Sequence, residues 1–249
     1  MPTLETGSIP DDELRYLASR VPNIPYRITA RFPHDERAFT EGLVFSEGTL
    51  YESTGSVPRR SISALRQVEI SSGRILRIRS LKKVYFAEGL TILDGTVFQL
   101  TLDGKGFVYD LDTLNLVDAF FYLGEGWGLT NDGTSLIMSN GSSSLQRIDP
   151  ETFRIDSQKI EVTIEGKPLS PLNELEFVDG ALYANVLDSD FIFRINPTNG
   201  KVLGYLDISK ARPRTGDVLN GIAYDRVTQS FLITGKFWPT LLEIQFTKD

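Results

Sequence analysis

A short motif recurs five times along the chain and sets the terms for its fold. Its copies are Glu41-Gly42-Leu43, Glu88-Gly89-Leu90, Trp127-Gly128-Leu129, Asn173-Glu174-Leu175 and Asn220-Gly221-Ile222. The interval of about 45 residues is that of supersecondary units that bury a core only by stacking on one another. A turn follows each copy: Ser46-Glu47-Gly48, Asp94-Gly95, Asp132-Gly133, Asp179-Gly180 and Asp225-Arg226. Asp-Gly between alternating apolar residues is a hairpin signal. Second strands read at 50–54, 97–101, 136–140, 182–186 and 231–234. Third strands end in polar turns such as Ser71-Ser72-Gly73, Pro150-Glu151-Thr152 and Pro197-Thr198-Asn199-Gly200, and fourth strands follow at 75–78, 116–121, 155–162 and 202–208. Four short antiparallel strands per interval predict a propeller blade.

The fifth unit stops after its third strand, residues 241–246, while residues 26–32 form an orphan strand with an alternating pattern. An unpaired edge is a liability that folds close off. The sequence therefore predicts an all-β, five-bladed β-propeller whose ring is closed by an N-terminal strand joining the last blade. Residues 1–25 read as an N-terminal extension with a short helix within 11–20, and residues 26–249 as one propeller domain.

Composition removes much chemistry. The chain has 249 residues, no Cys and one His, so thiol nucleophiles, iron–sulfur clusters and thiolate zinc sites are excluded, and any His-based triad would rest on His34 alone. The formal charge of −7 argues against a nucleic-acid surface. No run approaches the ~18 apolar residues of a membrane span. With no basic-then-apolar run at its start, the chain reads as cytoplasmic; processing of a leader would make it secreted or periplasmic. Because a propeller closes on itself, a monomer is expected.

In a propeller the innermost strands line the axis. The first position of each motif places Glu41, Glu88, Trp127, Asn173 and Asn220 there, where a purely structural repeat would carry apolar residues. The following Gly, present in four of five copies, allows close backbone approach. Second strands add Glu52, Thr54, Thr101 and Asn140, and Lys236 lies in an apolar, aromatic segment. Together these suggest a small polar-ligand pocket with an apolar collar. Structural readings stand beside this one. Glu41 and Glu52 are suited to accepting hydrogen bonds from inner strands, Asn220 to closing a ring of channel hydrogen bonds, Trp238 to packing and His34 to a turn. The Arg59-Arg60 and Arg77-Arg79 pairs read as solvated faces.

The runs Pro33-His34-Asp35, Ala38-Phe39-Thr40-Glu41-Gly42-Leu43 and Tyr51-Glu52-Ser53-Thr54-Gly55 resemble the plant and bacterial type of glutaminyl-peptide cyclotransferase. So do Phe86-Ala87-Glu88-Gly89, Gly124-Glu125-Gly126-Trp127-Gly128-Leu129-Thr130, Leu172-Asn173-Glu174-Leu175-Glu176, Asp217-Val218-Leu219-Asn220-Gly221-Ile222 and Thr234-Gly235-Lys236-Phe237-Trp238-Pro239. The resemblance runs in order over about residues 26–246, and it too implies a five-bladed propeller. It implies metal-independent cyclisation of an N-terminal Gln of a peptide or protein to pyroglutamate, with release of ammonia and no cofactor. It also assigns roles. Glu88 matches the proton-transfer carboxylate, and Asn173, Trp127 and Lys236 match residues that hold the substrate and the reacting amide. Phe39, Glu41 and Phe86 match the surrounding pocket. Oxyanion donors would come from Asn173, Lys236 or the Trp127 indole. At two positions where the family carries Trp this chain has Leu102 and Leu187, which keep the wall apolar but lose stacking area and an N–H donor. A catalytically weak or inactive propeller that binds peptides or proteins at the same place is the alternative. A lactone or sugar-acid hydrolase using a metal at Glu41, Glu88, Asn173 and Asn220 is a third.

Overall fold

The computed structural model describes residues 9–247; residues 1–8 of the expected extension and the last two residues of the expected domain lie outside them. Helix α1 (Asp11–Ala18) is followed by strand β1 (Tyr26–Pro33). Four blades then follow in chain order. Blade 1 is β2 (Thr40–Ser46), β3 (Thr49–Thr54), β4 (Ala64–Glu69) and β5 (Arg74–Ser80). Blade 2 is β6 (Ala87–Leu93), β7 (Thr96–Thr101), β8 (Lys105–Asp110) and β9 (Leu116–Phe121). Blade 3 is β10 (Leu129–Asn131), β11 (Leu136–Met138), β12 (Ser144–Ile148) and β13 (Ile155–Glu161), after which β14 (Thr163–Ile164) and β15 (Lys167–Pro168) make a small hairpin. Blade 4 is β16 (Leu172–Val178), β17 (Ala181–Val186), β18 (Phe191–Ile195) and β19 (Val202–Asp207).

Blade 5 is built from both ends of the chain. Strands β20 (Leu219–Asp225), β21 (Ser230–Gly235) and β22 (Thr240–Phe246) are completed by β1, in the sheet order β1-β22-β21-β20. The β1–β22 register runs antiparallel from Tyr26 opposite Phe246 to Pro33 opposite Thr240, with one irregularity around Thr29. The ring is thus an all-β, five-bladed propeller, closed as the orphan strand predicts.

Residue type follows depth. The second strand β17 is buried along its length, the inner strands β2, β6 and β20 are buried except at their far ends, and the outermost β5 is exposed throughout. The apolar core lies between neighbouring blades; Leu14, Leu17 and Ala18 of α1 pack into the cluster around Leu145, Leu175 and Phe193. Hairpin turns follow the sequence signals in blades 1, 2 and 4, where Glu47-Gly48, Asp94-Gly95 and Asp179-Gly180 all have positive φ. Blades 3 and 5 turn differently. There the Asp carboxylate accepts hydrogen bonds from following backbone N–H groups, Asp132 from Thr134 and Ser135 and Asp225 from Val227. Among the described residues no helix is long and apolar enough to cross a membrane.

The repeat motif owes its use to a bulge. Pairing between the first two strands slips by one residue at Thr40/Gly42, Ala87/Leu90, Leu172/Leu175 and Leu219/Ile222, so one extra residue of the inner strand stands unpaired in blades 1, 2, 4 and 5. A bulge re-aims the side chain it carries, and here the motif's polar residue is at the bulge each time. The glycines that follow the motif's first residue let the blades converge. A Cβ on Gly42 would lie 2.8 Å from the Leu90 nitrogen, one on Gly89 2.5 Å from the Leu129 nitrogen, and one on Gly128 2.8 Å from Glu174 Cα. Where blade 4 has Glu174 instead, the side chain reaches over the axis. Its two carboxyl oxygens accept from the Leu43 N–H at 3.2 Å and the Ile222 N–H at 2.8 Å, tying blade 4 to blades 1 and 5.

Candidate active site

At one mouth of the ring, beside the bulges, a cavity of about 230 Å³ is lined by Phe39, Glu41, Phe86, Glu88, Leu102, Trp127, Asn173, Leu187 and Lys236. These are the nine residues to which the resemblance points, gathered from all five blades. Glu52, Thr54, Thr101 and Asn140 are not among them. Thr54 and Thr101 donate to the carbonyls of Ile62 and Lys105, and Asn140 accepts from Ser142. Glu52 is buried one layer behind, bonded to His34 and Thr40.

The polar groups in the cavity divide into two sets. Lys236 and Glu41 are committed to each other: Nζ lies 2.8 Å from Glu41 Oε2, and that oxygen also accepts from Asn220 Nδ2 at 2.9 Å. Lys236 Nζ also sits 4.3 Å above the Phe39 ring, a favourable face for a cation. Asn220 thus serves Glu41 as well as the Thr40 carbonyl, closing part of the ring of channel hydrogen bonds. The second set is open. Among the described residues, neither the Glu88 carboxyl nor the Asn173 side-chain amide has a hydrogen-bond partner, although both are buried and line the cavity. The Asn173 backbone is fixed by Ser139, whose hydroxyl donates to its carbonyl at 2.5 Å while accepting from the Gly128 N–H at 2.7 Å.

Electrostatics follow from this division. Burial pushes the Glu88 carboxyl well above the ordinary range; nearby Glu41 and Glu125 push the same way, against Lys236. Glu41 is raised by burial to about 7 even though Lys236 and Asn220 favour its ionised form. Two neighbouring buried carboxyls that share a single nearby ammonium disfavour ionising together.

The indole of Trp127 is otherwise engaged than the sequence suggests. Its N–H donates to Glu125 Oε2 at 3.0 Å, so it is not free to serve an oxyanion. Glu125 is a residue the sequence reading passed over; its only signal is its place two positions before Trp127 in a glycine-rich loop. Phe237 was missed in the same way. It packs 5.1 Å from Phe39, which in turn meets Phe86 edge-on, and the Arg60 guanidinium lies 3.4 Å above the Phe237 ring. Arg77 and Arg79 are not merely solvated either, since they donate to the backbone of 112–114 in the next blade. Trp238 is core, fully buried with its N–H on the Asp217 carbonyl. Among the described residues no group of three or more acidic or His side chains is placed to hold a metal ion.

The family model for glutamine cyclotransferase matches residues 4–246. A glutaminyl-peptide cyclotransferase of Arabidopsis thaliana is 40% identical over 228 residues, covering 88% of this chain and 70% of the relative. The crystal structure of Myxococcus xanthus glutaminyl cyclase superposes with a TM-score of 0.82 at 32% identity, covering 91% of this chain and 98% of that one. The match spans the bulge residues, the pocket and the closing strand alike, and the chain belongs to the glutamine cyclotransferase family.

Proposed function

We propose that this protein converts an N-terminal Gln of a peptide or protein to pyroglutamate, releasing ammonia, and that Glu88 moves the proton. The observation that carries this reading is the pairing of an unpartnered, buried carboxyl at Glu88 with an unpartnered amide at Asn173 in one cavity. The α-amine of the substrate attacks its own γ-carbonyl; an N–C bond forms, the bond to the γ-amide nitrogen breaks, and one proton passes from the amine to the departing nitrogen. A protonated carboxyl can do both halves, accepting on one oxygen while donating from the other, and ends as it began. The raised pKa of Glu88 suits that form. The reference α-amine pKa of ~7.7–8.0 supplies neutral nucleophile near neutral pH.

The rest of the pocket orients. Ring closure within one molecule needs the amine and carbonyl held in contact, and the Phe39–Phe86 walls with Leu102 and Leu187 enclose that conformer. The Asn173 amide is the donor free to meet the developing oxyanion. The Glu41–Lys236 pair fixes the neighbouring wall. Each step uses side chains of this chain alone, so a chelator should leave the rate unchanged. Ammonia release from Gln-β-naphthylamide, abolished by Glu88→Gln in folded protein, tests the reading. Absence of release from the wild type overturns it in favour of a propeller that binds peptides without turnover, the reading that Leu102 and Leu187 support.

A further inference from the structure

The seam between the last and first blades holds a buried charge cluster that the cyclisation route leaves unused. His34 follows β1 and its side chain is almost wholly buried. Nδ1 lies 2.7 Å from the Trp238 carbonyl oxygen, and Nε2 lies 2.9 Å from Glu52 Oε1. A carbonyl oxygen only accepts, and so does an ionised carboxylate. A neutral imidazole carries one N–H and can satisfy only one of them, leaving a lone pair facing the other. Thr234 Oγ1, 3.4 Å from Nδ1, offers no proton because it donates to the Thr240 carbonyl at 3.1 Å.

The remaining partners favour an ionised Glu52. Its Oε1 also accepts from Thr40 Oγ1 at 2.8 Å, and Arg66 Nη1 lies 3.7 Å from its Oε2 and 2.9 Å from Asp35 Oδ2. With His34 protonated, two cations and two anions balance in the interior. His34 is faced by Glu52 from β3, with Arg66 from β4 behind it and Asp35 from its own loop. From β21 and the turn after it come Thr234 Oγ1 and the Trp238 carbonyl. Burial alone would lower the imidazole pKa, but the Glu52 charge and the bonds to Glu52 and Trp238 outweigh it and raise the pKa. Against burial, the His34 charge and hydrogen bond, with Arg66 and the Thr40 hydroxyl, hold Glu52 low.

The cluster grips the cavity from both sides. Trp238 comes two residues after Lys236, in a turn where Phe237 has a φ of 60° and donates its N–H to the Ala38 carbonyl at 2.7 Å. Thr40, held by Glu52, comes one residue before Glu41. We propose that His34, kept as an imidazolium, is a positioning residue that fixes the Lys236 turn against Glu41 across the seam. That role rests on the cavity being the catalytic one. Loss of the imidazole proton on raising the pH removes one of the two donors and releases either Trp238 or Glu52.

His34 is the only histidine of the chain, so ¹⁵N-histidine NMR on untagged protein reads it without assignment. The expected spectrum at about pH 7.5, where a free imidazole is mostly neutral, has both ring nitrogens protonated; a neutral tautomer there overturns the proposal. His34→Gln retains a side-chain donor but cannot bridge both acceptors as an imidazolium does. It is expected to lower kcat/KM at least about tenfold and to lose the alkaline decline that tracks the wild-type ring titration. A folded His34→Gln protein with wild-type rate and pH profile overturns the role. If His34→Gln does not fold, Glu52→Gln replaces it and is expected to give a neutral ring at the same pH; a retained imidazolium overturns the proposal. Should the wild type release no ammonia, the cyclisation reading fails separately. The positioning role is then read from exchange of the Phe237 amide, which must quicken beyond its intrinsic pH trend as the ring deprotonates; an unchanged trend overturns it.

Discussion

Lys236 Nζ and Glu41 Oε2 meet at 2.8 Å across the seam where the last blade adjoins the first. Lys236→Met leaves Glu41 with Asn220 as its remaining partner. Removing one member of a buried pair typically costs about 3–5 kcal/mol when the other stays charged. Glu41 can escape that cost by taking a proton, and its pKa, already raised to about 7 with Lys236 in place, rises further without it. The loss in Tm is therefore expected to be larger above pH 7 than near pH 5, measured by thermal denaturation across that range. Lys236→Met with Glu41→Gln recovers most of the alkaline deficit, because no uncompensated charge remains.

Glu88→Gln keeps the size of the side chain and removes the titrating proton. Since no protein group bonds the Glu88 carboxyl among the described residues, the fold has little to lose. Ammonia release is expected to fall by about 10²- to 10⁴-fold, the usual worth of a positioned acid–base group, with far-UV circular dichroism unchanged.

Leu102 and Leu187 stand in the cavity wall with no flat face to offer an aromatic leaving portion or peptide bond. Replacing both by Trp adds stacking worth about 0.5–1.5 kcal/mol per pair. KM for Gln-β-naphthylamide should fall several-fold, with kcat little changed, in steady-state assays.

Gly128→Ala tests how tightly the blades converge. The added methyl would meet the carbonyl of Asn173 and stand 2.8 Å from Glu174 Cα, both backbone atoms held by neighbouring strands. Overpacking of this kind costs about 1–3 kcal/mol or more. The variant should melt earlier and also lose turnover, since the atom displaced belongs to Asn173.

Glu176, also on β16, is raised by burial to about 8 in the folded protein. Because the folded state holds this proton more tightly than the unfolded chain, its contribution to stability is present below the ordinary carboxyl pKa and is lost as the pH rises towards 8. Glu176→Gln cannot lose a proton, so the fall in its Tm between about pH 5 and 8 should be shallower than that of the wild type.

The fold was legible because the repeat carries two independent signals, turn chemistry and strand alternation, five times over. The missing fourth strand in the last unit, set against the spare strand at 26–32, was enough to place the closure. The pocket was legible because the first residue of the motif is a carboxylate or an amide in four of its five copies and an indole in the other. The groups that escaped notice have no periodic signature. Glu125 bonds Trp127, two residues away, and His34, which the sequence offers only as a turn residue, has partners in Glu52 and Trp238 that meet only once the ring is shut. Asp132 and Asp225 mark hairpin turns as expected, though the loops there are longer and the Asp carboxylate itself caps them.

The pairing of β1 with β22 bears on how this protein is made. A strand that leaves the ribosome early must wait for the last strand before it finds its neighbour, a contact of very long sequence separation that is slow to form. Glu41 and Lys236 stand on opposite sides of that join. During synthesis four blades can therefore be built while the pocket still lacks a wall, and competence arrives in one late step with the docking of β22 between β21 and β1.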